Sequence, residues 1–114
     1  MRYVLLLDLK EDSELIREYK YWHRQENICK EVPEGIRSVG IEEMEIYRWN
    51  NRPVMCIEAP EGFNYDRAMD ELKQLPRQNA WERFMSKFQL SIIKAAPEEK
   101  WQQMNIVFSL SNCN

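Results

Sequence analysis

Three glycines and one histidine are all that this 114-residue chain holds of two residue types on which much catalysis depends. So few glycines leave no Gly-rich phosphate loop, and no strand-turn-helix elbow carries a nucleophilic serine. The cysteines, Cys29, Cys56 and Cys113, are odd in number and lack metal-ligand spacing. They read as reduced thiols of a cytoplasmic protein, Cys56 as a small buried hydrophobe and Cys113 as exposed. The acidic groups Glu42-Glu43, Glu45 and Glu98-Glu99 form solvated runs without the convergence a metal site needs. Neither a metal nor any other cofactor is expected.

Long apolar runs are also missing. Val4–Leu7 and Val54–Ile57 are far too short to span a bilayer, and the chain enters a strand at once without a signal-peptide core. Sixteen basic residues against nineteen acidic ones, a formal net charge of -3, leave no basic stripe. Nucleic acid and membrane are therefore not expected partners. What remains is 44% hydrophobic and 31% charged, the balance of one globular domain, assigned here to residues 1–114.

Arg2–Leu9 reads as a first strand, apolar enough to be buried on both faces. Asp12 or Ser13 caps a helix whose stripe Leu15, Ile16, Tyr19, Trp22, His23 runs to about Gln25. A short helix starts near Pro33 and stops before Gly40. Ile41–Trp49 and Val54–Ala59 form a hairpin across Asn50-Asn51, the strongest turn signal in the chain. Asn64 caps a third helix, which Pro76 interrupts. Asn79 with Glu82 suggests a capping box for a fourth, carrying Trp81, Phe84, Met85 and Phe88. A loop over Gln89–Gln102, holding Pro97, leads to a last alternating strand, Met104–Leu110.

The order β-αα-ββ-αα-β predicts an α+β fold: a ferredoxin-like four-stranded antiparallel sheet with helices on one face. The second face needs cover too. Two sheets packed face to face supply it, so a homodimer of the dimeric α+β barrel type is expected.

Tyr19 and His23 stand four residues apart and so share a helix face. An inward imidazole is ordinarily a hydrogen-bonded core group. Its pKa of about 6.5 also lets it give or take a proton near neutrality, and a phenol beside it can donate, accept or orient a hydroxyl. Each of the four tryptophans reads as core or interface packing, Trp49 above all; Trp22 stands beside the pair, and Trp81, at a helix start after Pro76, is equally able to line a cleft, where an aromatic face can stack on a sugar ring.

These pieces resemble a known family, the L-rhamnose mutarotases. They are the opening strand, Glu18-Tyr19-Lys20-Tyr21-Trp22-His23, Val32-Pro33-Glu34, Ser38-Val39-Gly40, Glu45-Ile46-Tyr47, Trp81 through Met85, and Val107-Phe108-Ser109-Leu110. The ordered set spans nearly the whole chain. It implies a dimeric ferredoxin-like isomerase that interconverts the α and β anomers of a free 6-deoxy sugar. His23 is implied as the proton-transfer residue, Tyr19 as its helper, and Trp81, with Trp22 and Met44, as substrate-binding. Met44 and Glu82 stand where the family tends to carry a tyrosine and a second tryptophan, so L-rhamnose and L-fucose both stay open. Two other readings also fit this architecture: a cofactor-free oxygenase and a non-catalytic sugar-binding dimer.

Overall fold

The computed structural model describes residues 1–90 and 101–113. Strand β1 (Arg2–Leu6) sits inside a four-stranded sheet, paired antiparallel on one side with β4 (Arg52–Glu58) and on the other with β6 (Gln102–Gln103); β3 (Glu43–Trp49) lies on the outer side of β4. The β3–β4 hairpin closes across Asn50-Asn51 with Trp49 opposite Arg52. Asn50 takes a positive φ of 51°, which asparagine accepts at low cost.

The first strand is shorter than its apolar run. Pro53 lies where the ladder would continue and has no N–H to return, so Leu7 makes only a long 3.4 Å bond to its carbonyl. The chain then re-pairs as β2 (Asp8–Leu9) against β5 (Gln89–Leu90), a second, two-stranded sheet. Asn51 holds this step: its carbonyl accepts from Leu9 N at 2.6 Å and its Nδ2 donates to Leu9 O at 3.0 Å.

Helix α1 (Ser13–Trp22) is capped by Asp12, whose Oδ1 accepts from the N–H groups of Glu14 and Leu15. It ends short of the expected Gln25, with His23 as its C-cap. Helix α2 (Glu31–Ser38) is followed by Gly40 at φ +99°, a value that favours glycine. Asn64 caps α3 (Tyr65–Lys73) through its Oδ1.

Helix α4 (Pro76–Met85) corrects the expected capping box. Pro76 does not end a helix; it begins one, because the first position needs no N–H and the ring presets φ. Asn79 is inside the helix and accepts from Arg83 instead. The last strand is also corrected. The register Leu5↔Gln103 puts Val107 opposite Met1, so residues 108–110 run past the start of β1 and find no partner on it. None of the expected Met104–Leu110 is strand: the pairing is Gln102–Gln103, just before it, Met104 N still reaches Val4 O at 2.8 Å, and Leu110–Asn112 turns as a 3-10 helix. Of the expected loop Gln89–Gln102, both ends are strand; Pro97 and Glu98-Glu99-Lys100 lie outside the described residues.

Two apolar clusters share the helix-covered side. Leu5, Ile41 and Ile57 form one with Met44, Met55 and Met69; Leu7, Leu9, Tyr19, Met85 and Phe88 form the other with Trp22, Trp81 and Phe84. The opposite sheet face carries Val4, Leu6, Val54, Cys56, Tyr47 and Trp49. Cys56 is half-buried there and Trp49 is 76% exposed, so neither belongs to the core of this chain.

Candidate active site

Between the sheet and helices α1, α2 and α4 lies a cavity of about 450 Å³. Tyr19 and His23 enter it from the end of α1, Met44 and Ile46 from β3, Val32, Ile36 and Arg37 from α2, and Gln78, Trp81, Glu82 and Met85 from α4. Most of the wall is aliphatic or thioether; polar groups enter from α1 (Tyr19, His23) and α4 (Gln78, Glu82), and also from α2 (Arg37) and around the start of β3 (Glu42, Glu43).

The imidazole is held by its own helix. Nδ1 lies 2.7 Å from the Tyr19 carbonyl, one turn back. A carbonyl only accepts, so Nδ1 carries the hydrogen and Nε2 keeps its lone pair in the neutral ring. The backbone N–H of His23 bonds the Lys20 and Tyr21 carbonyls, which pins the residue at both ends. Burial pushes its pKa below the ordinary imidazole value, and the bond to the Tyr19 carbonyl offsets part of that. At neutral pH the ring is uncharged, the form able to take a proton.

Tyr19 is 4% exposed, its ring 4.2 Å from that of His23 and edge-on to Phe88. Burial first, then the charge of Glu82, drives its phenol far above the usual tyrosine range. It therefore stays protonated at any working pH, with a hydroxyl hydrogen to donate. Trp81 meets the other side of His23, ring centroids 5.2 Å apart at 73°. These three aromatic rings form one continuous wall.

Trp22 does not line the cavity. It stands one residue, about 100° of helix rotation, before His23. That turns it toward Phe84, which it meets edge-on at 5.5 Å, and toward Tyr21. Met44 lines the cavity from β3, on the face that covers Ile57 in the ladder.

One lining residue has no place among the sequence-based candidates. Gln78 is 4% exposed, its Nε2 donates to Glu82 Oε1 at 3.3 Å, and its Oε1 finds no hydrogen-bond partner. A signal for it does exist: Gln78 precedes Trp81 by three and Met85 by seven, so it continues their inward stripe with a polar residue. Reading Pro76 as a break rather than a start hides it.

Among the described residues, no group of three His, Cys, Asp or Glu side chains is placed to hold a metal ion, and no helix is long and apolar enough to cross a membrane.

Comparison with known proteins adds three findings. A family model described as L-rhamnose mutarotase matches residues 2–110. The L-fucose mutarotase of Xanthomonas campestris pv. campestris is 38% identical over 112 residues, covering 96% of this chain and 88% of that protein. Among solved structures, the L-rhamnose mutarotase of Formosa agariphila superposes with a TM-score of 0.69 at 16% identity, covering 96% of this chain and 98% of its own. A dimeric ferredoxin-like protein from an uncultured marine organism follows at 0.55 and 18%, covering 76% and 82%. At such identities the structural likenesses establish the ferredoxin-like fold.

Proposed function

This chain belongs to the L-rhamnose mutarotase family, and from that membership we propose that it interconverts the α and β anomers of a free 6-deoxy sugar, L-fucose or L-rhamnose, by general acid/base ring opening. The observation that carries the reading is the wall of Tyr19, His23 and Trp81 around a cavity large enough for a monosaccharide. The 38% identical relative puts L-fucose first.

Ring opening breaks C1–O5 and makes C1=O1. Neutral His23 takes the anomeric proton on Nε2 while the C1–O5 electron pair moves to O5, which gains a proton from a donor at the open side of the cavity. Rotation about C1–C2 and the reverse transfer close the other anomer. Tyr19 donates a hydrogen bond to the sugar and holds it against Nε2. Trp81 stacks on the C–H face of the ring. Each positioned acid or base contributes roughly 10²–10⁴-fold. The aliphatic wall of Val32, Ile36, Met44 and Ile46 suits the methyl carbon of a 6-deoxy sugar.

The protein acts as a homodimer. Two features support this: a sheet face on which Val4, Leu6, Val54, Cys56, Tyr47 and Trp49 stand together at its centre and one end, and a terminal segment whose Ile106, Val107 and Phe108 are 80%, 99% and 69% exposed in the single chain.

Exchange between the two anomeric proton signals of L-fucose and L-rhamnose, measured by NMR at increasing protein concentration, tests the activity. Acceleration of either sugar supports it. No acceleration of either, with folded protein, removes it.

A further inference from the structure

We propose that Gln89 is a specificity-determining residue: its side-chain amide hydrogen-bonds one ring hydroxyl of the sugar in the cavity. The inference rests on the mutarotase reading above and names a contact within that site.

Strand pairing sets where this side chain goes. Gln89 lies directly opposite Leu9 in the antiparallel pair of β2 and β5, and residues so paired project from the same face. Leu9 is 1% exposed and belongs to the cluster of Leu7, Tyr19 and Met85, with Trp101 packed against it. Leu90, the next residue, turns to the other face and is 41% exposed. Gln89 therefore projects to the side that holds Tyr19, and it lines the same cavity as Tyr19, His23, Trp81 and Met85. The residue is only 7% exposed, yet no described group hydrogen-bonds its side chain. Here it differs from Gln78, whose Oε1 is sealed off completely; the Gln89 oxygen and nitrogen are unbonded but not sealed. What little surface Gln89 keeps thus includes its amide, and the cavity is the space that this residue borders. An unpartnered amide between Met85 and the rings of Tyr19 and Trp101 costs free energy. A sugar hydroxyl recovers it, by donating to Oε1 or accepting from Nε2. A sugar lacking that hydroxyl does not, and sites built this way reject the deoxy analogue.

The contact forms in the bound ground state and persists through ring opening, so its loss raises KM more than it lowers kcat. Gln89→Met keeps the length and removes both donor and acceptor. Anomer exchange is measured for the parent and this variant with L-fucose and its 2-deoxy, 3-deoxy and 4-deoxy analogues, together with melting temperatures of both proteins without sugar. With the parent, one analogue falls about tenfold in kcat/KM below L-fucose. In Gln89→Met, L-fucose falls to the level of that analogue and the gap closes, while the melting temperature holds or rises. A parent that shows no gap with any analogue overturns the assignment. So does a gap that stays open in Gln89→Met, whatever its melting temperature, and Gln89 is then a packing residue. A second measurement needs no variant. The Gln89 side-chain amide signals of isotope-labelled parent, assigned through its backbone, shift on titration with L-fucose and stay in place with the disfavoured analogue. Signals unmoved by L-fucose, or moved equally by all four sugars, end the proposal. If the parent exchanges no anomers at all, the mutarotase reading fails separately, and this titration alone decides Gln89.

Discussion

His23 is asked to be a base while buried at the end of a helix. Its depressed pKa has two consequences of definite sign. The first is kinetic: kcat/KM for anomer exchange falls on the acid side with a midpoint below about 6.5, and is flat above it until other groups titrate. A pH-rate profile by NMR or polarimetry shows this limb. His23→Ala lowers the exchange rate by roughly 10²-fold or more and abolishes the limb. The second is thermodynamic. The unfolded chain binds the His23 proton more readily than the folded one, so stability declines as pH drops below about 6.5 and stops declining below the folded value. His23→Gln flattens that part of the melting-temperature profile. Tyr19 behaves differently. Because its phenol stays protonated, Tyr19→Phe lowers kcat about tenfold without moving the acid limb, and a rate equal to the parent's would reduce Tyr19 to packing. Both residues are legible in the sequence, because an i, i+4 pair announces a shared helix face. Gln78 is legible only through its place on the Trp81–Met85 stripe, and taking Pro76 as a break hides that stripe's first turn.

At the scale of elements, local chemistry decides most boundaries. Asp12 makes two cap bonds to α1, the helix that presents Tyr19 and His23. Asp12→Ala therefore costs about 1 kcal/mol, read from urea denaturation, with a smaller effect on KM than on stability. The hairpin at Asn50-Asn51 and the cap at Asn64 can be read directly, because turn and cap preferences act within three or four residues. The departures have other causes. The break at Leu7 depends on Pro53, distant in sequence and adjacent only in the sheet. Such a cause is invisible to periodicity. Residues 104–110 alternate correctly for a strand, yet strand formation needs a neighbour, and residues 108–110 lie beyond the start of β1. Trp22 departs for a simpler reason: a stripe read over five positions includes both flanks of the helix, and only one flank meets the cavity.

At the scale of the molecule, one chain leaves a great deal uncovered. Apolar side chains occupy the free sheet face and the terminal segment at once, which is more than a stable monomer ordinarily shows. Phe108→Asp places a charge in the segment with little to lose in the single chain, where that ring is already exposed. It shifts the protein toward monomer in sedimentation velocity at micromolar concentration, with the thermal transition falling and losing the concentration dependence of a dimer. A variant sedimenting like the parent would remove the segment from the interface.

The two walls of the cavity are fastened to different things. The imidazole takes its bearing from a carbonyl four residues behind it, so its aim is settled inside a single helical turn. The facing side is assembled from α2 and β3, which make none of that turn's bonds. Substitution there can retune which carbohydrate is admitted while the proton carrier stays sighted on the same point, and a lineage of such proteins can change its diet without relearning its chemistry.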